Sequence, residues 1–478
     1  DFLDHLLEEG RLAVDAVHGP RVVLLDPSGG SAFYRQDVSP WVLGYLVGHE
    51  WDSGIIAYTN HTAAYSGDYR GTYFTTAPEA APFEALLARV MDELVAYESD
   101  KYKTQHLIAF INDPANDPFV YDSFYAAQLS KYNQVDAQRI VPTEALLSGY
   151  FAAYRLYDFC ADFSQYLSAE QQADLRDILA VLDTTASYDG YLELLGRYHT
   201  MPVVAAGCGF STARGAVTQG RAPLTEQEQG EALIQVYDDA MTAGWAGVFL
   251  STWQDMWERR TWNTAFAVLT DRAPYWHDLQ TDGQGYGLMA FVPEEQACVL
   301  DGDSGEWGRD DVVLETGGMT LSARYDAEGL CLLIQGADVG PDSPLYLPID
   351  ITGELGSSRS RSPSLAFERA ADFLLCLDGT DNSRLLVQAR YSAVRENFQA
   401  LLNGADPFID WPDKDSPDFV PVEMAVRDLV PVTQEEMQQT GSYQNYLAVW
   451  ETGRLTHGVG DPDSPAYSSL ADFCFGAG

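Results

Sequence analysis

A carboxylate set beside an indole is the feature of this chain with the clearest chemical potential. In Val38-Ser-Pro-Trp-Val-Leu-Gly-Tyr-Leu-Val-Gly-His-Glu-Trp-Asp52 an apolar run ends at Gly48, and Glu50 follows it, flanked by Trp51. A carboxyl against an aromatic wall holds its proton more tightly and can act as a general acid. Carboxyl chemistry of this kind works with a second carboxylate, about 5–5.5 Å away as a nucleophile or about 6.5–9.5 Å away as a base acting through water. Asp255 and Glu258 are available as bases, but nothing in the spacing places them. Trp51, Tyr157, Trp253 and Trp257 offer aromatic faces on which an apolar ligand surface could stack, while Trp262 reads as rim packing.

The elements that must hold these groups can be read from periodicity. Residues 1–283 alternate apolar runs with amphipathic helices. Strands are expected at 21–25, 41–47, 106–111, 149–157, 201–206 and 245–250, continuous enough to be buried on both faces. A helix starts at Pro82 and shows Phe83, Leu86, Leu87, Val90, Leu94 and Tyr97 on one face, with Glu84, Arg89, Asp92 and Glu93 elsewhere. Another runs from about 225 to 243 with Thr225 as its N-cap, and the first residues form a helix showing Phe2, Leu6 and Val14. Strand and helix in alternation predict a parallel sheet with right-handed crossovers. Residues 284–478 instead show short strands and turn signals, as at 286–292, 319–325, 345–351 and 384–391. They predict an antiparallel β-sandwich. The serine- and arginine-rich stretch 356–363 reads as a loop.

The 1–283 region resembles retaining glycosidases built on (β/α)8 barrels, of the cellulase and family-two hydrolase clan, in a branch found in multidomain bacterial proteins. Asp37-Val-Ser-Pro-Trp-Val-Leu-Gly-Tyr45 resembles the approach to that family's strand four, where an Asn-Glu pair carries the acid/base. Pro202-Val-Val with Gly209-Phe-Ser-Thr-Ala-Arg-Gly215 resembles strand seven. Thr252-Trp-Gln-Asp-Met-Trp257 and Arg260-Thr-Trp-Asn-Thr264 resemble strand eight and its extension. The resemblance makes Glu50 the acid/base and puts Tyr157, Trp253, Asp255 and Trp257 among sugar-binding groups. Glu50 should then project into the barrel mouth, with Trp253 in the same cleft. The departures are specific. The pair reads His49-Glu50, the strand-five pattern reads Asn112-Asp113, and the nucleophile position falls on Gly207, facing Glu50. A glycine cannot attack an anomeric carbon. In this register strands one and two precede Asp1, so an upstream segment or a second chain should complete the barrel. Closure by 65–75 or 119–125 is the less favoured alternative. Arg214 is expected to pair with a rim acid such as Asp255.

Val299-Leu-Asp-Gly-Asp-Ser-Gly-Glu-Trp307, 321–333 and Pro348-Ile-Asp350 resemble the sandwich shared by family-nine carbohydrate-binding modules and DOMON domains. The implied whole is a glycosidase-like barrel joined to a sandwich, catalytically degenerate, that binds or processes a surface polysaccharide. One rival is an active hydrolase using Glu50 and an unassigned second carboxylate. The other is a structural subunit of a larger surface assembly.

Composition narrows the partners. With 28 basic and 71 acidic residues the net charge is −43, which repels nucleic acid and anionic lipid. No run reaches the roughly 18 apolar residues of a membrane span. The acidic coat suits an extracellular or cell-surface setting. The six cysteines show neither C-x-x-C nor zinc-ligand spacing with histidine and read mostly as buried hydrophobes. No cofactor is expected. Calcium could sit among Asp301, Asp303, Asp310 and Asp311, although EF-hand spacing is absent.

Overall fold

The computed structural model describes residues 2–24, 31–62, 64–157, 163–218, 223–264, 281–289, 296–326, 329–351, 353, 355–392, 412–427, 431–441 and 447–476. The chain divides into two compact units: Asp1–Gly209 with Leu233–Ser251 and Leu429–Asn445, and Phe210–Ala232 with Thr252–Asp428 and Tyr446–Gly478.

The first unit is α/β. Strands Gly44–Val47, Leu107–Asn112, Ala152–Arg155, Val203–Cys208 and Gly247–Leu250 form one parallel sheet in chain order, curled into a half-barrel. Five of the six expected strands are therefore in it. The sixth, Arg21–Leu24, instead forms an antiparallel hairpin with Ser31–Tyr34. Nor do the alternative closing segments join the sheet. Phe74–Thr76 pairs antiparallel with Ile140–Pro142, and Ser123–Gln128 is helical. Gly44 shows why the first two strands lie so close, since a Cβ there would meet the Leu107 carbonyl oxygen at 2.5 Å.

Helix Pro82–Tyr102 covers the sheet. Proline at its start lacks only an N–H that would be unpaired anyway, and Glu84 takes the Ala81 N–H at 2.7 Å. Of the expected face Phe83, Leu87, Val90 and Leu94 are buried, joined by Met91 and Val95, while Leu86 and Tyr97 are only half-buried. Glu84 and Asp92 are buried too, against expectation. Their carboxylates serve loop backbone: Asp92 accepts from Tyr73 and Phe74 N–H, and Glu84 from Asp136 N–H. Helix Phe2–His18 packs on this helix through Leu7 and Val14, with Gly10 under Leu94. Phe2 and Leu6, placed on that face by the sequence, are not buried. Asp15 there accepts from Tyr97, Lys101 and Tyr102 at 2.7–2.8 Å.

Two buried titratable groups in this unit pull stability in opposite directions. The His199 Nε2 lies 2.7 Å from the Tyr154 hydroxyl, its Nδ1 has no partner among the described residues, and burial pushes its pKa from 6.5 down to about 4. Burial pushes Glu84 from 4.5 up to about 7, against Arg139 and two backbone N–H groups. The unfolded chain protonates His199 below 6.5 and the folded chain only below about 4. That contribution is complete above 6.5 and lost as pH falls through 4. Glu84 behaves oppositely: its contribution is complete below 4.5 and lost as pH rises through 7. Each slope is at most about 1.4 kcal/mol per pH unit, so they offset between the two windows. In His199→Gln the Glu84 slope loses this counterweight. Between pH 4.5 and 6.5 the variant's urea midpoints should therefore fall relative to the parent's, by up to about 1.4 kcal/mol of stability per pH unit. Parallel pH profiles for the two would refute this.

The second unit carries antiparallel sheets. Val312–Thr316, Met319–Tyr325 and Leu330–Gln335 make a meander, and Leu345–Ile349, Phe373–Leu377, Arg384–Gln388 and Phe419–Pro421 make a four-stranded sheet. Ser357–Ser360 pairs with Leu365–Ala371 and Glu423–Arg427 with Leu447–Glu451. The first meander turn is Gly317-Gly318 with φ of +58° and +86°, values that fit glycine in a two-residue hairpin. Along Phe373–Leu377 alternate side chains enter two clusters, Phe373 with Val387 and Tyr391, and Leu374 and Cys376 with Phe419. Thus 319–325, 345–351 and 384–391 are strands over most of their length. In 286–292 the described part, 286–289, forms no regular strand, and 290–292 lie outside the described residues. The expected loop 356–363 contains a strand, Ser357–Ser360, whose pairing with Leu365–Ala371 shifts register between Ser357 and Arg359, so that Ser357 and Ser360 are both buried. Helix Glu226–Thr242 starts as expected, Thr225 Oγ1 accepting the Glu228 N–H at 3.1 Å.

Two cysteines depart from the expected role as free core groups, since Cys298 and Cys331 form a disulfide. Cys208 and Cys376 are buried thiols, Cys474 is half-buried, and Cys160 lies outside the described residues. No helix among the described residues is long and apolar enough to cross a membrane.

Candidate functional site

In parallel α/β folds the loops after the strands' C-terminal ends are where ligands and chemistry collect. Glu50 follows the first strand of the half-barrel, Arg155 closes the third, and Gly207 lies at the end of the fourth, paired with Arg155. Arg155 donates from one guanidinium nitrogen to Glu50 Oε1 and lies 3.2 Å from His49 Nδ1. The guanidinium also lies 4.9 Å from the centre of the Tyr157 ring. Its side chain is 10% exposed while that of Glu50 is 67% exposed, so the carboxylate faces solvent and the cation is sunk beneath it. A Cβ built on Gly207 would lie 3.0 Å from the Tyr157 hydroxyl and 3.7 Å from Arg155 Cγ. Glu50, His49, Arg155, Tyr157 and Gly207 thus gather at one rim.

Trp51 is not at that rim as a stacking surface. It is buried, its indole N–H donates to the Ile111 carbonyl at 2.6 Å, and its ring meets Phe83 edge-on. Gly48, at φ +81°, makes this possible: a Cβ there would overlap the Trp51 ring at 2.0 Å. The loops beside Glu50 are tied by amides. Asn116 bridges the Trp51 carbonyl and the Ser53 hydroxyl, and Asn133 donates to the Ser53 carbonyl. Beneath them Lys131, 4% exposed, pairs with fully buried Asp117 and the Pro114 carbonyl. Tyr191 donates to the same carboxylate, and Lys131 lies 4.7 Å from the Tyr121 ring centre. Burial pushes Asp117 up and Lys131 down, and their pairing opposes both shifts.

Trp253, Asp255 and Trp257 belong to the second unit. Trp253 and Trp257 are 69% and 66% exposed, and Asp255 takes the Gly287 N–H at 2.7 Å. Trp262 lies under the Arg427 guanidinium at 4.2 Å. Arg214 is structural, as expected, but its acid is Asp472 at 2.5 Å rather than Asp255. The acidic loop carboxylates close local turns: Asp301 accepts from Asp303 N–H, Asp303 from Gly305 N–H, and Asp311 from Gly308 N–H and Arg324.

Two features escaped the sequence reading. A cavity of about 940 Å³ in the first unit is lined by Tyr58, Tyr65, Tyr69, Asp52, Asp68 and Arg89, among others. Tyr58 starts a π-helical turn, Tyr58–Thr62, a rare geometry that gathers at functional sites. The tyrosine spacing in 58–69 was the available signal. The other feature is a buried group, His18, Glu98 and His106, which among the described residues is the set within metal-ligating reach. Its sequence signal was only a Glu and a His eight residues apart.

No protein-family model matches the chain, and none of the curated proteins matches it.

Proposed function

We propose that this chain is a glycosidase-like protein that binds a neutral carbohydrate without hydrolysing it. The observation that carries the reading is the rim pairing. Glu50 serves as the anionic half of an ion pair with Arg155, whereas an acid catalyst must arrive protonated. At the fourth strand Gly207 offers no carboxylate, and the room beside it is taken by Tyr157 and Arg155. Double displacement needs two carboxylates across the bond. Binding needs only shape, apolar faces and polar edges, and the cavity bearing Tyr58, Tyr65 and Tyr69 has them. The charge of −43 disfavours uronic or sulfated glycans. A disulfide supports an oxidising, extracellular or cell-surface setting. Further strands from an upstream segment or a second chain would extend the half-barrel.

Two assays test this together. Aryl glycosides should show no turnover above a Glu50→Gln control, and turnover abolished by that substitution would establish the active hydrolase. On a glycan array the protein should retain neutral oligosaccharides over uronic ones. Tyr58→Ala should weaken that retention about fivefold, a loss of ~1 kcal/mol for one stacking face. Retention of no glycan at all would leave the structural-subunit reading.

A further inference from the structure

His18, Glu98 and His106 come from three elements. His18 ends helix Phe2–His18, Glu98 lies one turn from the end of helix Pro82–Tyr102, and His106 immediately precedes strand Leu107–Asn112. Their side chains are 5%, 2% and 11% exposed. His18 Nε2 lies 2.9 Å and His106 Nδ1 2.6 Å from the same oxygen, Glu98 Oε1. One ligand atom from each residue falls within 4.8 Å of the other two.

The hydrogen-bond roles can be counted. His106 Nε2 lies 3.0 Å from the Ser39 carbonyl, which can only accept, so that nitrogen carries the proton. In a neutral ring Nδ1 then presents its lone pair to a carboxylate oxygen. Two lone pairs do not rest 2.6 Å apart without a cation between them, either a proton or a metal ion. The surroundings orient all three donors, as outer partners do around metal centres. Tyr45 donates to Glu98 Oε1 at 2.9 Å, and the His106 backbone N–H to Oε2 at 3.0 Å. Tyr102 stacks on the His18 ring at 3.9 Å, and Ser39 fixes the His106 tautomer. Two imidazoles and one carboxylate form a borderline donor set that suits zinc and its neighbours rather than calcium or magnesium.

We propose that His18, Glu98 and His106 form a structural site for a divalent transition-metal ion of the zinc class. The group lies at the N-terminal end of the Leu107–Asn112 strand, whereas the Glu50 rim follows C-terminal ends. In barrel folds that opposite end serves stability rather than chemistry. The ion ties both helices to the start of the sheet. The 2.6 and 2.9 Å contacts are those of the proton-bridged form. Tetrahedral metal bonds of about 2.0–2.2 Å require the donors to part by roughly half to one ångström. As the ion takes their place the Nδ1 proton of His106 and the Nε2 proton of His18 both pass to solvent, and His18 binds through Nε2 as the neutral ring protonated on Nδ1.

The test uses the whole chain, stripped with chelator and titrated with cobalt(II). The expected result is the visible absorption of a four-coordinate cobalt site, saturating at one ion per chain and bleached by zinc. Zinc should also raise the first unit's thermal midpoint by several degrees. His106→Asn and Glu98→Gln, where they fold, should lose the band. Should they not fold, exchangeable imidazole proton signals from two histidines, shifted by cobalt in the parent, read out the same ligands. A titration with no band and no change in midpoint would overturn the proposal. So would a band that persists in a folded His106→Asn variant, or shifted signals from fewer than two histidines.

Discussion

Replacing Lys131 by methionine should destabilise the first unit by about 3–5 kcal/mol, the cost typical of leaving one member of a buried ion pair alone. Asp117 has no exposure, and its remaining donors, Tyr191 and the Phe119 N–H, do not neutralise it. The pair sits in the loops that brace the rim, so the loss should appear in the urea midpoint and in faster proteolysis of residues 113–136. Asp117→Asn combined with Lys131→Met should cost less than the sum of the two single changes, because removing both charges removes the unpaired one. A single-variant cost below about 1 kcal/mol would mean that water or relaxation already solvates the pair.

The second large effect is expected at Gly48. Its φ of +81° is strained for any residue with a Cβ, and that Cβ would enter the Trp51 ring. Strain of order 1–3 kcal/mol adds to an overlap that backbone or indole must relieve by moving. Gly48→Ala should therefore lose about 3 kcal/mol or more of stability. It should also raise the fluorescence exposure of Trp51 and release Glu50 from Arg155. Gly244, at φ +79° with nothing within 4 Å of its Cβ position, is the control. There alanine should cost only the strain. Equal effects at the two positions would show that the Trp51 contact adds nothing.

The parallel strands were legible as continuous apolar runs, and 41–47, 106–111, 149–157, 201–206 and 245–250 each contain one. The expected burial on both faces holds for the three inner strands, whereas the edge strands Gly44–Val47 and Gly247–Leu250 are partly exposed. The 21–25 run carries the same apolar signature on a hairpin where Arg21 and Val22 are exposed, since composition fixes neither burial nor pairing partner. Helix Pro82–Tyr102 was readable from its proline and its periodicity. Its buried Glu84 and Asp92 were not, because what they satisfy is the backbone of loops far away in sequence. At the rim the sequence located Glu50 and Gly207. It did not reveal Arg155 as their neighbour, which depends on strand register, nor the inward turn of Trp51, which depends on the conformation of one glycine. The tyrosine cavity and the histidine cluster assemble from separate elements, and a single sequence carries no spacing rule for such gatherings.

The half-barrel has a colloidal consequence. Among the described residues its sheet ends at Gly44–Val47 on one side and Gly247–Leu250 on the other. Leu46, Phe249 and Leu250 are exposed there. Open edges with apolar side chains invite intermolecular pairing. What keeps copies apart is long-range repulsion between chains of charge −43. That repulsion reaches about 10 Å at 0.1 M salt and about 3 Å at 1 M. Dispersal of this protein should thus follow ionic strength: dilute buffer is expected to keep copies apart, and concentrated salt to bring the sheet edges within reach of one another.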